Sequence, residues 1–132
     1  MFDERDLIHS YSRQQALEDG VLLDATSVAR EAGFRIPVAL TSAAWVDCVA
    51  WSESDAARGA LGQSERGRLW DIVWMAAHAA RVHRASGRSR VSFTVMRIPR
   101  GSRRAERVEL VVHVGPGDDG EPVATIMLPL ES

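Results

Sequence analysis

The 132-residue chain is 45% hydrophobic and 26% charged, which excludes a disordered polymer, since such chains combine low hydrophobicity with high net charge. Its formal charge of −2 and pI near 6.1 do not match a dedicated nucleic-acid binder, which carries a basic domain. The length suits one domain, residues 1–132, with a core of its own.

A single cysteine, Cys48, excludes an internal disulfide and suits a reducing compartment. The acidic start Met1–Asp6 is not followed by the apolar run of a signal peptide, and no stretch approaches the ~18 apolar residues of a membrane span. The expectation is a cytoplasmic protein with no membrane association. All sixteen basic side chains are arginine, which reads first as codon bias and only second as selection for guanidinium chemistry.

In chain order, Ser12 is placed to cap a short helix over Arg13–Glu18, with Gly20 just past its end. Val21-Leu22-Leu23 reads as a short buried strand. Thr26 or Ser27 is a cap for a second short helix ending at Gly33, and Pro37 holds Ile36 extended ahead of a strand at Val38-Ala39-Leu40. Thr41 is placed to cap a third helix over about Ser42–Trp51. Ser52–Ser64, rich in Ser, Ala and Gly, reads as a mobile loop with a candidate helical turn at Asp55–Ala60.

Glu65 to about Ala85 is the longest element. It lacks proline and is bracketed by Ser64 as cap and Gly87 as stop. Leu69, Ile72, Val73, Ala76, Ala79 and Ala80 form one stripe at 100° per residue, while Trp70, Trp74, Met75 and Val82 lie off it. A helix apolar on more than one side is expected to be covered on more than one side, so this is read as a central helix.

After Gly87 the period becomes two. Arg90–Ile98, Arg107–Val114 and Pro122–Leu130 read as strands of an antiparallel three-stranded meander, with Val91, Phe93, Val95 and Ile98 toward the core and a change of phase near Arg97 read as a bulge. The fold class is α+β, short helices and a long central helix on a C-terminal meander, with the N-terminal strands as candidates to extend it.

The stretch Tyr11–Asp24 (YSRQQALEDGVLLD), with Glu31-Ala32-Gly33-Phe34 and Ile36–Thr41 (IPVALT), resembles the opening of a small uncharacterised bacterial family of about this length, found with plasmids, conjugative elements and phages. The likeness is strongest over residues 7–52. It implies a genomic setting and carries over no catalytic residues.

No local motif for phosphate, dinucleotide, zinc or acyl chemistry is present, and no cofactor is expected. Cys48, between Val46 and Val49, reads as a buried core thiol ahead of a nucleophile. The histidines are His9, His78, His83 and His113. His78 and His83 lie about 140° apart on a helix, so no metal site is expected, and His83 reads as a core or cap histidine.

Two patterns remain as candidate sites. Trp70, Asp71, Trp74, His78 and Arg81 share one helix face, either as a pocket or partner surface or, the reading preferred from burial tendencies, with both tryptophans packed in a seam. Residues 81–107 hold nine arginines against one acid, Glu106. Within this segment Arg97, Arg100, Arg103, Arg104 and Arg107 are candidates for contacting a nucleic acid or a protein partner. Arginines at the two ends of the first meander strand would form separate patches. The function expected is non-enzymatic macromolecular binding by an accessory protein of a mobile element. The alternative is a small enzyme or ligand-binding domain using Asp71, Trp74 and His78. The oligomeric state is left open.

Overall fold

A computed structural model describes residues 11–82 and 89–131. The elements in chain order are α1 (Arg13–Glu18), β1 (Leu22–Asp24), α2 (Thr26–Glu31), β2 (Val38–Thr41), α3 (Ser42–Cys48), α4 (Glu53–Arg58), α5 (Glu65–Val82), β3 (Arg90–Arg97), β4 (Glu106–Pro116) and β5 (Pro122–Met127). The class is mixed α+β. The sheet, however, has five strands in the order β1-β2-β5-β4-β3, where the meander alone supplies three. β3, β4 and β5 pair antiparallel, β2 joins β5 in parallel, and β1 closes the far edge antiparallel to β2. β2 is buried along Val38-Ala39-Leu40 because it sits inside the sheet. Its apolar run is that of a strand covered on both faces, so a short strand extends the sheet where a surface connection would be polar.

Local chemistry explains the first helices. Ser12 Oγ accepts from Gln15 N at 3.0 Å while Gln15 Oε1 accepts from Ser12 N at 3.1 Å, a reciprocal box that satisfies two otherwise orphaned donors. Thr41 caps α3 by accepting from Ala44 N. At α2 neither Thr26 nor Ser27 is the cap. Ala25 occupies that position without a side-chain bond, and the Thr26 hydroxyl instead binds Asp24 Oδ1 at 2.6 Å and accepts from Val38 N, tying the helix start to β2. α3 ends at Cys48 rather than Trp51, and the Ser52–Ser64 stretch holds a full short helix, α4, started by a Ser52–Asp55 capping box.

α5 lies across one face of the sheet and packs on β3 and α2. Its buried side presents Leu69, Ile72, Val73, Ala76, Ala77 and Ala79 to Val91, Phe93 and Val95 of β3, Leu110 and Val112 of β4, and Ala124 and Ile126 of β5. Alternate residues of each strand therefore form the floor of the core. β3 pairs with β4 without interruption from Arg90–His113 to Arg97–Glu106. The phase change read as a bulge is instead the end of the strand, with Ile98 outside it. The expected end of α5 near Ala85, the stop at Gly87 and the role given to His83 lie outside the described residues.

Two arginines reach across the second sheet face, which also buries Ala39, Val111, Val123 and Met127. Arg13 of α1 donates to Thr125 Oγ1 and to the Ala124 carbonyl, both at 2.8 Å. Arg90 reaches past Met127 Sδ to the carbonyls of Pro129 and Glu131. Among the described residues no helix is long and apolar enough to cross a membrane.

Candidate functional site

The 3.6-residue period divides α5 into a buried arc and an arc that points away from the sheet. The outward arc is where the structure departs most from expectation. Trp74 is 49% exposed, Met75 37% and Val82 62%, so the described residues cover the helix on one side, and they do not form the seam expected to enclose both tryptophans. Trp70 is half-buried at the boundary and stacks on Trp74, with ring centroids 5.7 Å apart and planes inclined by 27°. Asp71 and His78 stand exposed beside Trp74.

Stacking one helical turn apart brings the two rings together while leaving much of the outer one in water. The four-residue spacing brings the side chains together, and the helix beneath is locked by a fully buried opposite face. A cleft of about 500 Å³ flanks Trp70, between Val28 and Glu31 of α2, Ser64 just ahead of α5, and Arg66 and Gly67 of α5's first turn. The Arg66–Glu31 pair at 3.0 Å crosses it, with both side chains largely exposed. The result is a projecting aromatic ridge with charged flanks. Asp71, Trp74 and His78 stand exposed on this ridge.

Arg81 leaves that group. Its guanidinium lies against the backbone of Gly33, close enough that a Cβ there would fall 3.4 Å from Nη2. Gly33 has φ +113°, a conformation side chains disfavour. Arg81 thereby joins a second cleft of about 630 Å³, lined chiefly by Phe34, Ile36, Ala77, Ala80 and Val114, with Arg35 also at its rim.

Three of the five loop arginines are engaged within the fold. Arg97 Nε and Nη2 both donate to Asp47 Oδ1, at 3.2 and 2.8 Å. Arg100 Nε donates to Asp55 Oδ2 at 2.9 Å, and Arg103 Nε donates to the Arg58 carbonyl at the end of α4. Arg104 and Arg107 are exposed. Arg90 and Arg97 stand at opposite ends of the eight-residue β3, so these two described arginines do not converge on one patch. The loop is better described as a clamp that fastens α3 and α4 to the sheet than as a free cationic surface.

The centre of that clamp lies on the buried face of α5. Arg68 of α5 is 5% exposed and donates through Nε to Val49 O at 3.0 Å and through Nη1 to Ile98 O at 2.8 Å and Gln63 Oε1 at 3.0 Å. Its guanidinium lies 4.8 Å from the Trp51 ring centroid, a cation–π distance. Burial pushes its pKa down, yet an arginine stays charged throughout the accessible range. A charge at a buried position of the stripe is a legible signal, because buried arginines are rare unless paired.

Cys48 lies beside this cluster, 1% exposed. Burial, reinforced by Asp47 and partly offset by Arg97 and Arg68, pushes its thiol up to about 11. A neutral, enclosed thiol is the opposite of what nucleophilic catalysis requires. Among the described residues, no three His, Cys, Asp or Glu side chains gather where they could hold a metal ion.

No curated protein and no solved structure matches the chain. A family model described as "Family of unknown function (DUF6573)" matches residues 1–132, and the chain belongs to that family.

Proposed function

We propose that this protein is a non-enzymatic binding module whose partner is a protein docking on the outward arc of α5, centred on Trp70 and Trp74. One observation carries the reading: a stacked aromatic pair, with Trp74 half in solvent, on a helix whose opposite side is buried in the core. Tryptophan dominates interface hot spots because it brings a large contact area at little entropic cost. Met75 and Val82 extend the apolar area along the same arc, and Asp71 and His78 give it a polar margin, the composition of an interface core and rim.

A protein partner is favoured over a nucleic acid because the loop arginines that would meet phosphates are largely committed to Asp47, Asp55 and the α4 carboxyl end. An enzymatic role for Asp71, Trp74 and His78 is disfavoured because they project from a ridge, whereas active sites are concave. The sequence resemblance supports placing the module as an accessory protein of a mobile bacterial element, and the lone buried cysteine supports a cytoplasmic setting.

The test is site-specific photo-cross-linking. A benzoylphenylalanine at position 74 is expected to give one discrete adduct in cells, and the same probe at the exposed Ser54 of α4 is expected to give none. The captured protein, once identified and purified, must then bind the purified chain. Identical adducts from both positions would refute the reading.

A further inference from the structure

The geometry points to the cleft between the last turns of α5, the 33–36 loop and the β3–β4 strands as a binding site for a small amphipathic anion, an aliphatic or aromatic body carrying one carboxylate or phosphate. This site is separate from the tryptophan ridge and does not depend on it. Its volume of about 630 Å³ falls within the roughly 300–1,000 Å³ of small-ligand pockets. The walls are apolar and small where the helix faces the cleft: Ala77 and Ala80 stand where a leucine would fill the space, opposite Ile36 and Val114.

The polar composition of the cleft then selects the ligand. Among the described residues, both charged side chains lining it, Arg35 and Arg81, are cations, and no Asp or Glu lines it. A neutral apolar ligand would fill the walls and ignore the rim. A cation would be repelled. An anion with an apolar body satisfies both, because guanidinium groups bind carboxylate and phosphate oxygens in forked geometry. Gly33 supports the arrangement, since its left-handed, side-chain-free backbone lets the Arg81 guanidinium approach the loop.

The probes are 1-anilinonaphthalene-8-sulfonate and its neutral relative N-phenyl-1-naphthylamine, titrated into the folded full-length chain by fluorescence. The sulfonate is expected to bind saturably at one site per chain, at least tenfold more tightly than the neutral probe. Octanoate and octyl phosphate should displace it and octanol should not. Ala80→Leu, which fills the cleft, should weaken both probes at least tenfold. The double variant R35E/R81E, which alters exposed side chains only and so tests the site even if the filled cleft fails to fold, should weaken the sulfonate at least tenfold and spare the neutral probe. The proposal is overturned if no saturable site is seen, if octanol competes as well as octanoate, if binding survives Ala80→Leu in the folded variant, or if reversing both charges leaves the sulfonate unaffected.

Discussion

Arg100 Nε donates to Asp55 Oδ2 across 2.9 Å, joining the loop after β3 to the first turn of α4. The same oxygen accepts from Ser52 N at 2.7 Å and from the Ser52 hydroxyl at 3.0 Å. One buried carboxylate thus begins a helix and anchors a hairpin loop.

Asp55 sets an acid limit on stability. The Ser52 backbone bond, ahead of Arg100 and the Ser52 hydroxyl, pushes its carboxyl down to about 2 against the opposing effect of burial. A pKa depressed in the folded state contributes stability that is complete above the unfolded value near 3.9 and lost as pH falls toward the folded value. Denaturant titrations of wild type and Asp55→Asn should differ by a constant amount above about pH 5, with the gap closing between about pH 4 and 2. A gap independent of pH across that range would show that the carboxylate is not what holds α4.

Truncating the buried Arg68 is expected to be costly. Arg68→Ala leaves the Val49 and Ile98 carbonyls without their donor. An unsatisfied buried group costs about 1–3 kcal/mol, so a loss of about 2–4 kcal/mol is expected by chemical denaturation. Arg68→Lys should recover only part of it, since an ammonium cannot reproduce the forked contacts. A loss below about 0.5 kcal/mol would contradict the hub.

Cys48 should react with a disulfide reagent at least a hundredfold more slowly in the folded protein than in denaturant, since the thiolate is the reactive form and is both rare and enclosed. Its raised pKa also predicts that stability is unaffected below the unfolded thiol value near 8.5 and declines as pH rises from there toward about 11. Rapid stoichiometric labelling of the folded chain would reopen a role for the thiol.

The exposed loop arginines should be dispensable for folding where the paired ones are not. Arg104→Ala with Arg107→Ala should change stability by less than about 0.5 kcal/mol, as is usual for surface substitutions. Arg100→Ala should cost more, because it leaves Asp55 without its cation. Mobility-shift assays at low salt with single-stranded and duplex DNA and RNA should show no complex. A complex whose affinity falls steeply with salt would instead mark counterion release and restore the phosphate-binding reading of the loop.

Where chemistry was local, the sequence disclosed it. The Ser12 and Thr41 caps, the long helix from Glu65 and the period-two strands after Arg90 all depend on neighbours within a few residues. The parallel pairing of Val38 with Ala124 depends on residues 86 positions apart, and nothing in either segment announces it. The same limit hid the site. Arg97, Arg100 and Arg103 look like a free cationic loop because Asp47, Asp55 and the Arg58 carbonyl lie about 45–50 residues away. Trp70 and Trp74 were legible as neighbours on one face, but the exposure of Trp74 was not, since it depends on how elements distant in sequence pack around the helix.

The most direct test of the tryptophan ridge is the affinity of the partner captured from position 74 for wild type and for Trp74→Ala, measured by calorimetry on proteins with matched thermal stability. Truncating a hot-spot tryptophan typically costs about 2 kcal/mol or more, so binding should weaken at least thirtyfold, with Ser54→Ala unchanged. Equal affinity of Trp74→Ala and wild type would contradict the assignment of this face as the binding surface.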